Sequence, residues 1–166
     1  MATWVVKTKS KGNMPKWLIF LMLGLVALVI TPYFFTLETK EFDARIEKMV
    51  EEIRGRIARG ESREIFLASD RELIASFDET EFAAHLAPAR QFLSGKYEKI
   101  GGGGTRFDTL ADRLNRFIGR PYIIYTAFLL ENETSRAGET FSWKVRGDEV
   151  KLLYIRNEGF GQINVK

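Results

Sequence analysis

Residues 17–37 read WLIFLMLGLVALVITPYFFTL, twenty-one consecutive positions without a charged side chain. At 1.5 Å rise per residue, a helix of that length covers about 30 Å, enough to cross a hydrocarbon core. This run divides the 166-residue chain into a short segment before it and one longer body after it. The longer body has about 130 residues, the size of a single domain with one core.

Charge gives the run a direction. Lys7, Lys9, Lys11 and Lys16 precede it with no acidic residue among them, whereas Glu38, Lys40, Glu41, Asp43 and Arg45 follow it in mixed sign. An excess of lysine on one flank marks the cytoplasmic side. The expected organisation is a basic cytoplasmic tail over 1–16, a transmembrane helix over 17–37, an extracytoplasmic α+β domain over 38–157 and an extended C-terminal tail over 158–166. The expected location is the inner (cytoplasmic) membrane, single-pass, with the C-terminal domain in the periplasm. Trp17 and Tyr33 stand near the two ends of the run, where interfacial aromatics belong, and Pro32 removes one backbone bond near the outer end. Gly24 is followed four residues later by Leu28, so the run lacks the paired glycines of a close helix–helix contact. A cleaved signal peptide fits less well, because Ile30–Phe35 offers bulky residues where a small-x-small site is needed.

With the four tail lysines set aside, 21 basic residues face 22 acidic ones. A nearly neutral domain is a poor match for nucleic acid, and no nucleic-acid partner is expected. The chain has no cysteine and one histidine, His85, which excludes disulfides, thiolate ligands and histidine-rich metal centres. No catalytic set, cofactor site or metal site is expected.

Within the domain, Phe42, Ile46, Met49, Ile53 and Ile57 recur at helical spacing over Glu38–Arg59, and Gly60 is the expected stop. Ser62–Phe77 reads as one or two short helices. Asp78 and Glu81 form a capping-box pair, Phe77 and Phe82 a hydrophobic staple, and Phe82, Leu86, Ala89 and Leu93 continue as a stripe that Gly95 ends. Pro88 inside that stripe is expected to bend or split the helix. From Lys96 onward the pattern changes to strands. Tyr97–Ile100 and Thr105–Phe107 flank Gly101–Gly104, where a loop or bulge is expected. Pro121–Glu131 is a nearly continuous apolar run of the kind covered on both faces. Glu139–Arg146 alternates, with Phe141, Trp143 and Val145 on one side, and Gly147-Asp148 turns the chain into Val150–Arg156. Asp108–Ile118 fits either a short helix or a strand extension. Helices followed by strands imply helices packed on one face of a curved antiparallel sheet.

That order, together with Arg59-Gly60-Glu61, Asp78-Glu79-Thr80-Glu81-Phe82, Leu93-Ser94-Gly95-Lys96-Tyr97 and the hairpin from Phe141-Ser142-Trp143 to Val150–Tyr154, resembles the cystatin-like cone of the nuclear-transport-factor-2-like superfamily. Small bacterial membrane-anchored domains of that superfamily are most similar. The resemblance implies a scaffold role of the kind some anchored members play in secretion machines. It also keeps open a ligand-binding or enzymatic cone, in which His85, Tyr97, Tyr122, Tyr125, Tyr154, Asp108 or Asp112 would line the mouth.

The expected function is therefore a non-catalytic accessory or scaffold subunit of a larger inner-membrane complex, of energy-transducing or secretion type. Its partners would be the lipid bilayer and other integral membrane subunits. Candidate interface residues are Tyr122, Ile124 and Phe128 on the central strand, and Phe160, Ile163 and Val165 in the tail. A tethered ligand-binding or enzymatic domain is the alternative, and a pilin-like subunit the third.

Overall fold

The computed structural model describes residues 17–25 and 39–160. The chain forms two compact units that divide between Thr36 and Leu37. In the first, residues 17–25 form helix α1, with Trp17, Phe20 and Leu23 among its exposed side chains. Among the described residues no helix is long and apolar enough to cross a membrane. Of the expected span, residues 26–37 lie outside the described set, and so do Pro32, Tyr33 and the four tail lysines.

The second unit is α+β, four helices followed by an antiparallel meander with one more helix inserted. A single turn at Lys40–Phe42 leads into α2 (Asp43–Arg59), then α3 (Ser62–Ala68), α4 (Arg71–Ser76) and α5 (Glu79–Leu93). β1 (Glu98–Phe107), α6 (Leu110–Phe117), β2 (Tyr122–Glu131), β3 (Arg136–Arg146) and β4 (Glu149–Glu158) follow. The four strands lie in the order β1-β2-β3-β4.

Local chemistry explains most boundaries. Gly60 ends α2 at φ +79°, its N–H reaching the Arg56 and Ile57 carbonyls. At α5 the Asp78 carboxylate accepts from Glu81 N at 2.7 Å and the Glu81 carboxylate accepts from Asp78 N at 3.2 Å, closing the expected capping box. Phe77 meets Phe82 edge-on at 6.3 Å. Pro88 neither splits nor ends α5, which runs unbroken to Leu93 because this exposed proline removes a single N–H from an otherwise intact ladder. Asp108–Ile118 resolves into helix α6, whose own capping box pairs Thr109 with Asp112.

Helix α2 is rotated relative to the expected stripe. Its buried residues are Ile46, Val50, Arg54 and Ile57, while Phe42, Met49 and Ile53 are only partly covered. The buried strip, at spacings of four, four and three, lies on the side of α2 that packs against α5 as well as the sheet.

The glycine run does not interrupt β1. The strand passes through it with register shifts between Lys99 and Gly101 and between Gly102 and Thr105. Gly102 adopts φ +84° with its α-carbon against β2, where an added Cβ would lie 2.1 Å from the Ala127 carbonyl oxygen. At the β3–β4 turn Gly147 alone has positive φ, as a turn with glycine in its first central position requires.

The strand expected to be covered on both faces is covered on one. β2 alternates, with Tyr122, Ile124, Thr126, Phe128 and Leu130 buried and the residues between them partly or fully exposed. Its apolar continuity reflects two different surroundings, the helix-covered core and an open face. Each sheet edge is engaged at one or two residues by the chain itself. On β1, Thr105 O accepts from Thr39 N at 2.9 Å and Thr105 N donates to Asp43 Oδ1 at 2.9 Å. On β4, Leu152 O accepts from Asp70 N at 2.7 Å and Ile155 O is 2.8 Å from His85 Nε2.

Replacing Gly102 with Ala should cost at least about 2 kcal/mol, from backbone strain added to the clash with Ala127. Gly104 has open space around it and no positive φ, so Gly104→Ala should stay within about 0.5 kcal/mol of the parent. Thermal unfolding of the two full-length variants distinguishes them; equal losses would mean that β1 does not press against Ala127.

Candidate functional site

The polar residues named for a pocket do not converge. His85 projects from α5 to the edge of β4, its ring between Phe77 at 6.0 Å and Tyr154 at 6.1 Å. The Ile155 carbonyl can only accept, so Nε2 carries the proton and His85 holds a strand edge. Tyr122 is buried against Phe42 and Phe107. Tyr97 packs on Phe92, Tyr125 lies on the open face, and Tyr154 sits beside the irregularity where Leu153 is extra in the β3–β4 pairing. Burial raises the Tyr97 and Tyr122 phenols above their ordinary value. Asp108 is exposed. Asp112 is buried and fully engaged, its Oδ1 accepting from Ile123 N at 2.8 Å and its Oδ2 from Thr109 N at 3.1 Å. Among the described residues no three acidic or histidine side chains could hold a metal ion.

The most unusual chemistry lies where no candidate was expected. Arg54 of α2 and Glu139 of β3 are 2% and 1% exposed. Arg54 Nε donates to Glu139 Oε2 at 2.7 Å, Nη1 donates to Glu51, and the guanidinium carbon lies 4.5 Å from the centre of the Phe128 ring. Arg54 Nη2 is also 2.7 Å from Oε2 but is not aligned to donate, so Nη2 and Glu139 Oε1 both lack hydrogen-bond partners. Asn157, opposite Glu139 in the β3–β4 register, likewise has an unpartnered amide. Burial pushes the Glu139 carboxyl above its ordinary range, and the Arg54 charge pulls it only part of the way back.

The candidate interface residues of the central strand are core. Tyr122, Ile124 and Phe128 are buried under the helices. Phe160 packs edge-on against Phe92 at 5.0 Å, and Ile163 and Val165 lie outside the described residues. What β2 offers outward is the other parity: Ile123, Tyr125, Ala127 and Leu129. The β3 register sets Lys144, Ser142, Thr140 and Gly138 beside them in turn. Lys144 is engaged by Glu72 of α4, so that end of the face is partly screened. At the other side, the glycine run leaves a recess of about 410 Å³ bounded by Lys40, Asp43, Arg106, Tyr125 and Ala127. The result is an open face of small polar and apolar side chains with a recess at one margin.

Removing Arg54 alone strands a buried carboxylate, so Arg54→Met should cost about 3–5 kcal/mol, and adding Glu139→Leu should recover much of it. The pH dependence has a definite sign. Because Glu139 titrates higher in the folded chain, its contribution to stability is greatest below the ordinary carboxyl value of 4.5 and is lost as pH rises through the elevated folded value. Relative to Glu139→Gln, the parent chain should therefore weaken from acid to neutral pH in chemical denaturation. An opposite slope would show that the pairing with Arg54 outweighs burial.

Comparison with protein-family models, with curated proteins and with solved structures finds no match for this chain.

Proposed function

We propose that this chain is a single-span membrane protein of the inner membrane, non-catalytic, whose extracytoplasmic domain is a cystatin-like cone serving as an accessory or scaffold subunit of a larger complex. The observation that carries the reading is the open face of the sheet. Helices cover one side, each edge is engaged at one or two residues by the chain's own groups, and Ile123, Tyr125, Ala127 and Leu129 remain accessible on the other. An exposed apolar row bordered by Thr140 and Ser142 suits a protein partner: the centre supplies area to bury and the hydroxyls supply hydrogen bonds at the margin.

The anchor reading is supported by the sequence of residues 17–37 and by the apolar side chains exposed along α1. In a bilayer those side chains would face lipid. The partner of the open face is then another integral membrane subunit with an extracytoplasmic part, since tethering confines encounters to one plane. The settings that suit it are an energy-transducing or a secretion assembly.

The test is the native mass and composition of the tagged full chain extracted from its own membranes in mild detergent. The parent chain should migrate with a defined set of integral membrane subunits. Leu129→Glu, which places a charge on the open face, should release it as a free chain. Leu67→Glu, on the exposed side of α3, should migrate as the parent does. A parent chain running alone would overturn the reading.

A further inference from the structure

Helix α6 presents to solvent the stripe that an amphipathic helix ordinarily buries. Leu110, Leu114, Phe117 and Ile118 follow helical spacing and are 46%, 52%, 81% and 50% exposed. The buried side chain of this helix is instead an acid, Asp112. Its orientation is imposed. Asp112 accepts from Ile123 N on β2 and closes the capping box with Thr109, so rolling the apolar stripe inward would strand a buried carboxylate and break both contacts. Eight residues make a marginal helix in water, and these hydrogen bonds hold it formed before anything covers it.

Its place in the domain says what covers it. Arg116 pairs with Glu41, and its guanidinium lies 5.7 Å from the Phe42 ring centre and 5.9 Å from that of Phe107. Helix α6 is thus fastened to the first turn of the domain. Glu41 stands four residues beyond the end of the apolar run at Leu37, a reach of at most about 14 Å of extended chain. If that run crosses a bilayer, as the proposed function holds, the residue to which α6 is fastened lies within that reach of the end of the run. The composition fits that place. Arg113, Arg116 and Arg120 accompany the stripe, and the single acid between Leu110 and Arg120 is the buried Asp112.

We propose that α6 lies on the bilayer surface, with Leu110, Leu114, Phe117 and Ile118 entering the boundary between headgroups and acyl chains and Arg120, just past the helix, at the level of anionic headgroups. The inference rests on the anchor reading and adds to it a second membrane contact, one that would orient the domain instead of merely tethering it.

Because the chain has no cysteine, single-cysteine spin labels test this directly. The full chain would be reconstituted in mixed phosphatidylcholine–phosphatidylglycerol vesicles with a nitroxide at Leu21→Cys in the run, Phe117→Cys on α6 or Leu67→Cys on α3. Collisional accessibility to oxygen and to a water-soluble nickel chelate would then be compared. The expected result is an oxygen-to-nickel ratio at Phe117→Cys several-fold above that at Leu67→Cys and below that at Leu21→Cys. A label at Phe117→Cys as water-exposed as at Leu67→Cys, with Leu21→Cys in lipid, overturns the α6 contact and leaves the anchor standing. A water-exposed Leu21→Cys overturns both. A Phe117→Cys label shielded from both reagents identifies a protein surface, such as a second copy, and overturns the lipid assignment.

Discussion

Helix α2 is fixed to the sheet by two charges that leave water together. Ile46, Val50 and Ile57 give it an apolar seat, and Arg54 completes the same strip by reaching Glu139 across the core and lying over Phe128. A buried ion pair adds little net stability over an apolar pair of similar size, because desolvation offsets most of the attraction. What it adds here is register. Slipping β3 by one residue would turn Glu139 to the open face and bring a neighbour of opposite parity under a buried guanidinium. Among helix rotations and strand registers of similar hydrophobic content, the pair singles out the one in which its two members meet.

That pair was within reach of the sequence. Glu139 shares the parity of Phe141, Trp143 and Val145, so the alternation that places those three in the core places the acid there too. Arg54 stands four residues after Val50 and three before Ile57, on the strip that is buried. Counting only apolar positions drew the stripe through Met49 and Ile53 and overlooked it. The caps were readable because they are local: Asp78 with Glu81, Gly60 and Gly147 each need only their neighbours in the chain. The surroundings of β2 were not, because an apolar strand between two covers and one with a single cover have the same composition. Helix α6 was ambiguous for a related reason. Its stripe satisfies the helical period, yet what decides its orientation is Ile123 N, supplied by a strand that follows it.

The interface residues expected on the central strand were displaced for a simple geometric reason. Tyr122, Ile124 and Phe128 share the parity of Thr126 and Leu130, which faces the helices, and alternation leaves Ile123, Tyr125, Ala127 and Leu129 for the outside. His85 has a comparable explanation. A lone imidazole invites a chemical role, but here it closes one carbonyl of an edge strand between two aromatic rings.

The engaged edge positions have a consequence for crowding. Confinement to a membrane surface, as proposed, would hold many copies of this domain at one height and in similar orientation. In that arrangement an unpaired strand edge on one copy meets the same edge on the next, and sheets can grow from chain to chain. Thr39 and Asp43 occupy the donor and acceptor of Thr105 on one border, while Asp70 and His85 occupy carbonyls on the other. These contacts interrupt the row of free backbone groups along which a neighbour crowded in the same plane would have to add a strand.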